Sequence, residues 1–178
     1  MSGSTSTADF LDRYPRSFYA AVALLCTGLL GFGYYLQFAR GLEPCPLCIL
    51  QRLCFIATGA IALAAALHGP RAVWRWIYSG ALIVAAGTGA GIAAWQVWLQ
   101  HLPPDQVPEC GPGLDYMLDA FPLSDAVRMA FSGSGECAKV DWTFLTLSIA
   151  EWSLFWFAVI AIACVLQLRS GSTATRRA

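Results

Sequence analysis

The sequence predicts an all-α membrane protein, a four-transmembrane-helix bundle with a long extracytoplasmic loop that carries a short amphipathic interfacial helix. Three observations lead there. The 178-residue chain is 57% hydrophobic and only 12% charged, about half the charge of a soluble domain. Its mean hydropathy is +0.57. Four separate stretches each hold roughly the 20 apolar residues that a helix needs to cross about 30 Å of hydrocarbon. The apolar bias excludes a soluble globular domain and a disordered chain, and a formal net charge of +0 excludes the basic excess of a nucleic-acid binder.

The spans are expected at 18–38, 49–67, 76–98 and 143–168, within a single integral membrane domain that occupies 1–178. They contain two of the 22 charged residues, Arg52 and Glu151. Backbone in lipid must satisfy its own polar groups, which makes these segments helices. The first run is longer than the 7–15 residues of a signal-peptide core and no A-x-A site follows it, so it stays as a helix.

Seven of the eleven basic residues (Arg13, Arg16, Arg71, Arg75, Arg169, Arg176 and Arg177) fall on one side, and the positive-inside rule places both termini in the cytoplasm. The connections 39–48 and 99–142 are then extracytoplasmic. Tyr34, Tyr35, Trp95, Trp98 and Trp142 form the outer aromatic belt, and Trp74, Trp76 and Tyr78 the inner one. Gly87 and Gly91 make a GxxxG in the third span, read as a close helix contact.

The seven cysteines divide by topology. Cys26, Cys54 and Cys164 lie within spans and read as small buried hydrophobes. Cys45, Cys48, Cys110 and Cys137 fall in the outer connections, where disulfides persist. Cys45 and Cys48 form a C-x-x-C inside Glu43-Pro44-Cys45-Pro46-Leu47-Cys48-Ile49-Leu50-Gln51-Arg52. The prolines cannot continue a helix backwards, so Cys45 stays outside while Cys48 enters the first helical turn, where free N–H groups and the helix dipole favour a thiolate. Arg52 is one turn deeper on the same face, and a cation there is a functional candidate because lipid makes it costly.

A zinc site built from the C-x-x-C with Cys110 and Cys137 fits poorly, since 26 residues separate the second pair and structural zinc takes two short-spaced pairs. A c-type haem is excluded because Ile49, not His, follows Cys48. Between Gly111-Pro112-Gly113 and Gly133-Ser134-Gly135, Leu114, Met117, Leu118 and Phe121 recur at helical spacing. That piece is either a folded cap stapled by a Cys110–Cys137 disulfide or, as the hinge-like flanks favour, an interfacial helix that lets the disulfide travel. Two disulfides on one face suggest thiol–disulfide exchange. With no haem, flavin or iron–sulfur pattern, a bilayer-dissolved quinone fits the electron sink, and Arg52 is placed to stabilise both a thiolate and charge on a quinone oxygen.

These residues resemble the disulfide bond formation protein B family of bacterial membrane thiol:quinone oxidoreductases. The resemblance runs from the first span to the fourth, and is most specific at Pro44-Cys45-Pro46-Leu47-Cys48 with Gln51-Arg52 and at Ser134-Gly135-Glu136-Cys137-Ala138 with Trp142. It implies a multi-pass protein of the bacterial inner membrane, with its active cysteines facing the periplasm. Cys110 would form a mixed disulfide with a thioredoxin-fold oxidase of the DsbA type, Cys137 would pass electrons to Cys45, and Cys48 would engage ubiquinone or menaquinone beside Arg52. The implied output is disulfide formation in secreted proteins.

Some relatives carry a histidine near the outer end of the third helix, where this sequence has Gln96; Gln96 is not counted in the expected site. Glu151, expected about two turns into the fourth helix, either pairs with Arg52, handles a quinol proton or faces a wet crevice. Two other readings stand beside this one. A reductase of the vitamin K epoxide reductase type shares the cysteine inventory, but here the C-x-x-C opens the second of four spans and the loop pair follows. A non-catalytic scaffold with two structural disulfides would tolerate loss of Arg52 or Cys48.

Overall fold

The computed structural model describes residues 15–71, 73–103, 105–106, 135–140 and 142–175. Among them, four helices are long and apolar enough to cross a membrane. These are α1 (Pro15–Arg40), α2 (Pro46–His68), α3 (Val73–Gln100) and α5 (Ile149–Thr175); α4 is a single turn, Gly135–Ala138, in the connection between α3 and α5. Each observed helix contains or overlaps its expected span, and the helices run a few residues further into the interfaces. The expected amphipathic helix around Leu114–Phe121 lies outside the described residues.

Local chemistry sets the ends of α2. Cys45 is the N-cap with extended backbone, Pro46 occupies the first helical position, and Gly69 closes the helix at φ 64°, its N–H bonding Ala65 O at 2.9 Å. Proline just inside the start costs nothing, because its missing N–H has no helical partner, and glycine just past the end accepts the left-handed turn. Large apolar side chains point outward, Leu24 being 73% and Leu67 75% exposed, as expected where lipid rather than water covers the surface.

The fourth span begins later than expected. Residues 143–148 form a hairpin, β1 (Thr143–Phe144) with β2 (Leu147–Ser148), in which Thr143 pairs with Ser148 and Phe144 with Leu147. Its two turn residues, Leu145 and Thr146, have φ of 52° and 69°, the backbone of a two-residue hairpin turn held without glycine. Helix α5 then starts at a capping box: Ser148 N–H donates to Glu151 Oε2 at 2.6 Å and Glu151 N–H donates to Ser148 Oγ at 3.3 Å. An S-x-x-E of this kind satisfies two orphan donors at once. The apolar run through 143–148 concealed this start.

Helix α1 packs on α2, α2 on α3, and α3 on α5. The core joins Tyr19, Cys26, Phe55, Leu82, Phe157 and Cys164. Phe55 and Phe157 stack at 3.9 Å between ring centroids. The close helix approaches are at Gly59, where an added Cβ would lie 3.2 Å from Cys26 Cβ, and at Gly89, where it would meet the Phe157 ring at 2.4 Å. Gly87 and Gly91 have nothing within 4 Å. The expected GxxxG contact is therefore corrected: those two glycines lie on the exposed face of α3, and the residue between them faces α5. Nearer the start of α1, Tyr19 OH and Ser79 Oγ lie 2.9 Å apart, and Ser79 reaches Gln167 Oε1 at 3.5 Å, so one polar chain ties α1, α3 and α5.

Candidate functional site

The C-x-x-C end of the bundle opens into a cavity of about 1010 Å³ between α1, α2, the end of α3, the hairpin and the start of α5. Cys45, Cys48, Arg52 and Gln96 all line it. Its apolar wall includes Leu29, Phe32 and Trp156. Rings close the outer rim, with Phe32 against Trp142 at 5.7 Å, Trp142 stacked on Phe144 at 6.1 Å, and Phe144 beside Trp152 at 6.1 Å between centroids.

The extended N-cap and Pro46 hold Cys45 at the mouth of α2, and the first helical turn brings Cys48 to it. Cys45 Sγ donates to Cys48 Sγ at 3.1 Å. Cys137 on α4, fully buried among Leu47, Ile92 and Leu99, joins them. Hydrogen bonding with Cys137, then with Cys48, together with burial, raises the Cys45 thiol above its ordinary range. Three of the four expected cysteines thus share one sulfur cluster although 88 residues of sequence separate Cys48 from Cys137. Cys110 lies outside the described residues.

Arg52 sits one turn below Cys48, as the spacing predicts, but its hydrogen bonds run to α1. Nη1 donates to Gln37 Oε1, Nη2 donates to the Gly33 carbonyl at 3.2 Å, and the guanidinium lies 5.0 Å from the Tyr34 ring centroid. A Cβ at Gly33 would lie 3.8 Å from Arg52 Nε, an ordinary van der Waals contact, so the approach does not depend on glycine there. Tyr34, read from sequence as a belt residue, is thus also an arginine partner. Among the described residues, this planar cation is held by two oxygen acceptors and a ring face. The suggested pairing with Glu151 is replaced by the capping box of α5, where the first-turn carboxylate meets the helix dipole.

The group that touches the sulfurs is Gln96. Its Nε2 lies 3.4 Å from Cys45 Sγ and 3.4 Å from Cys48 Sγ, while its Oε1 accepts from Gln51 Nε2 at 2.7 Å. Gln51, Gln96 and Gln37 were not counted among the expected site residues. A polar amide inside an apolar span is costly unless it has partners, and that was the available signal.

The family model described as disulfide bond formation protein DsbB matches residues 15–167. The chain is similar to disulfide bond formation protein B of Azoarcus sp. (strain BH72), 51% identical over 158 residues that cover 89% of this chain and 95% of that protein. It also resembles the proteins of that name from Hahella chejuensis, 49% identical over 86% of this chain and 96% of the relative, and Acinetobacter baumannii, 50% identical over 78% and 82%. With four membrane-length helices, and with a C-x-x-C that lines a cavity and a buried cysteine packed against it, the chain belongs to the DsbB family, membrane proteins of disulfide bond formation.

Proposed function

We propose that the chain reoxidises a periplasmic thioredoxin-fold dithiol oxidase of the DsbA type, acting as a protein dithiol:quinone oxidoreductase of the bacterial inner membrane with both termini cytoplasmic. The observation that carries this reading is that Cys45 and Cys48, with the buried Cys137 packed against Cys45, line a large and mostly apolar cavity that also holds Arg52. A structural disulfide needs no such cavity.

The residues fit a quinone. The volume of about 1010 Å³ accommodates a ring with part of a tail, since ligand sites run roughly 300–1,000 Å³. Leu29, Phe32 and Trp156 supply apolar walls, and the Arg52 guanidinium supplies a donor for a carbonyl oxygen. When bound, ubiquinone or menaquinone supplies the sink for one electron pair and two protons.

The protein's own steps are exchanges between sulfurs. A thiolate of the partner attacks Cys110 of a Cys110–Cys137 disulfide; the new bond joins partner to Cys110 and the electron pair leaves on Cys137. Cys137 then attacks Cys45, the Cys45–Cys48 bond breaks, and its pair leaves on Cys48. Burial and the cysteine hydrogen bonds keep the proton on a reduced Cys45, which leaves Cys48 as the better leaving group. Arg52 holds positive charge one turn below. The partner's second thiol resolves the mixed disulfide, its pair leaves on Cys110, and the partner departs oxidised; the Cys110 thiolate then attacks Cys137 of the Cys45–Cys137 bond, which restores Cys110–Cys137 and leaves Cys45 and Cys48 reduced, holding the two electrons and two protons that a quinone would take up.

Two measurements test this. Changing Cys137 to Ser and isolating the chain from oxidising cells is expected to yield a thioredoxin-fold protein linked through Cys110. Purified chain given a quinone and a reduced dithiol partner is expected to bleach the quinone absorbance, and Cys48→Ser to abolish the bleaching. A quinone left unreduced by the wild-type chain overturns the reading.

A further inference from the structure

Gln51 on α2 and Gln96 on α3 are both buried, each 3% exposed, at the level of the C-x-x-C. Gln51 Nε2 donates to Gln96 Oε1 at 2.7 Å. That bond occupies the Gln96 oxygen and turns its NH2 toward the sulfurs, 3.4 Å from each of Cys45 and Cys48. The Cys48 contact to the Gln96 oxygen is longer, 3.7 Å. The positive end of the amide dipole therefore faces the cysteine pair. The Arg52 guanidinium instead spends its described hydrogen bonds on Gln37 and Gly33 of α1.

We infer that Gln96 is a catalytic residue that donates to the departing Cys48 sulfur, and that Gln51 is the positioning residue that aims it. The inference rests on the exchange chemistry proposed above and adds its donor. When the Cys45–Cys48 bond opens, the pair that lands on Cys48 meets an N–H already in place, so no group has to reorient as charge develops. A neutral donor suits this depth. It stabilises a thiolate without placing a second cation beside Arg52 in the apolar wall, where each added charge is expensive. The donor also serves without titrating across physiological pH, unlike a histidine.

An alternative use of the two amides is as polar glue between α2 and α3. Glue and donor differ in what they do to the sulfur. In Gln51→Glu a carboxylate accepts instead of donating, so it draws the Gln96 NH2 away and leaves the Gln96 oxygen facing the cysteines. The double variant Gln51→Leu with Gln96→Leu removes both amides, orphans neither, and keeps the helix contact apolar.

The experiment follows Cys48 alkylation in the fully reduced chain in detergent, cysteine by cysteine by mass spectrometry, across pH, with iodoacetamide as the probe. Thermal unfolding is recorded alongside. At neutral pH both variants are expected to alkylate Cys48 about ten- to a hundredfold more slowly than wild type, the ratio given by losing a charge-assisted hydrogen bond, with the rate recovered at higher pH. A profile within twofold of wild type in the double Leu variant overturns the inference and leaves the amides as glue. Neither partner nor quinone is present, so that result leaves the exchange reading to its own quinone-bleaching assay. Should Gln51→Glu fail to fold, the double variant decides alone.

Discussion

Replacing Gly89 by alanine tests the packing that spaces α3 from α5. A Cβ at Gly89 falls 2.4 Å from Phe157 Cζ, 2.5 Å from Cε1 and 2.7 Å from Cε2. Carbon atoms rest at roughly 3.5–4.0 Å, so the methyl group intrudes on the ring edge by about 1 Å. The ring has nowhere to go: Phe157 is fully buried and stacks on Phe55 at 3.9 Å with 14° between planes. Overpacking of a tight core costs about 1–3 kcal/mol, and a blocked ring met by three atoms belongs at the upper end. About 3 kcal/mol is roughly a hundredfold in the unfolding equilibrium. The assay is unfolding by SDS titration in mild-detergent micelles, followed by tryptophan fluorescence. Gly87→Ala and Gly91→Ala, with nothing within 4 Å, are the controls and are expected to stay within about 0.5 kcal/mol of wild type. Adding Phe157→Leu to Gly89→Ala gives the ring space back and is expected to cost less than the two single changes summed. A Gly89→Ala protein as stable as the two controls refutes this account of the α3–α5 contact.

Arg52→Met is expected to lower the rate of quinone bleaching by about 10²–10³, the usual loss of one preorganised donor, while melting within a few degrees of wild type; Arg52→Lys recovers part of the rate because it restores charge but not the fork. Ser148→Ala and Glu151→Ala each remove one bond of the capping box, and each is expected to destabilise by about 1 kcal/mol, whereas Glu151→Gln keeps the accepting oxygen and is expected to leave both stability and bleaching unchanged, which separates a cap from a proton carrier. In the reduced chain the Cys45 thiol lies above its ordinary range. A raised value keeps the proton on, so Cys45 is expected to alkylate more slowly at pH 8 than an ordinary thiol titrating near 8.5 and to gain rate only as pH rises further. Mass spectrometry of each cysteine against pH checks this, and Cys45 reacting at the ordinary pH would remove its role as the protonated member of the pair.

Composition and spacing by themselves determined the membrane class, the four helices and the neighbourhood of Cys45, Cys48 and Arg52. Those properties are local: 20 apolar residues in a row are a span wherever they pack, and residues four apart share a helix face in any fold. The start of α5 was equally local, written in Ser148-Ile149-Ala150-Glu151, but the apolar hairpin before it reads like more helix. Tertiary structure alone decided which polar groups meet. Arg52 turns to Gln37 and Gly33 on α1, Gln96 crosses from α3 to the sulfurs, Cys137 arrives beside Cys45, and Gly89 rather than Gly87 and Gly91 makes the close contact. Helix rotation and depth set these pairings. They are fixed by packing across the whole bundle, so no window of sequence along one helix contains them.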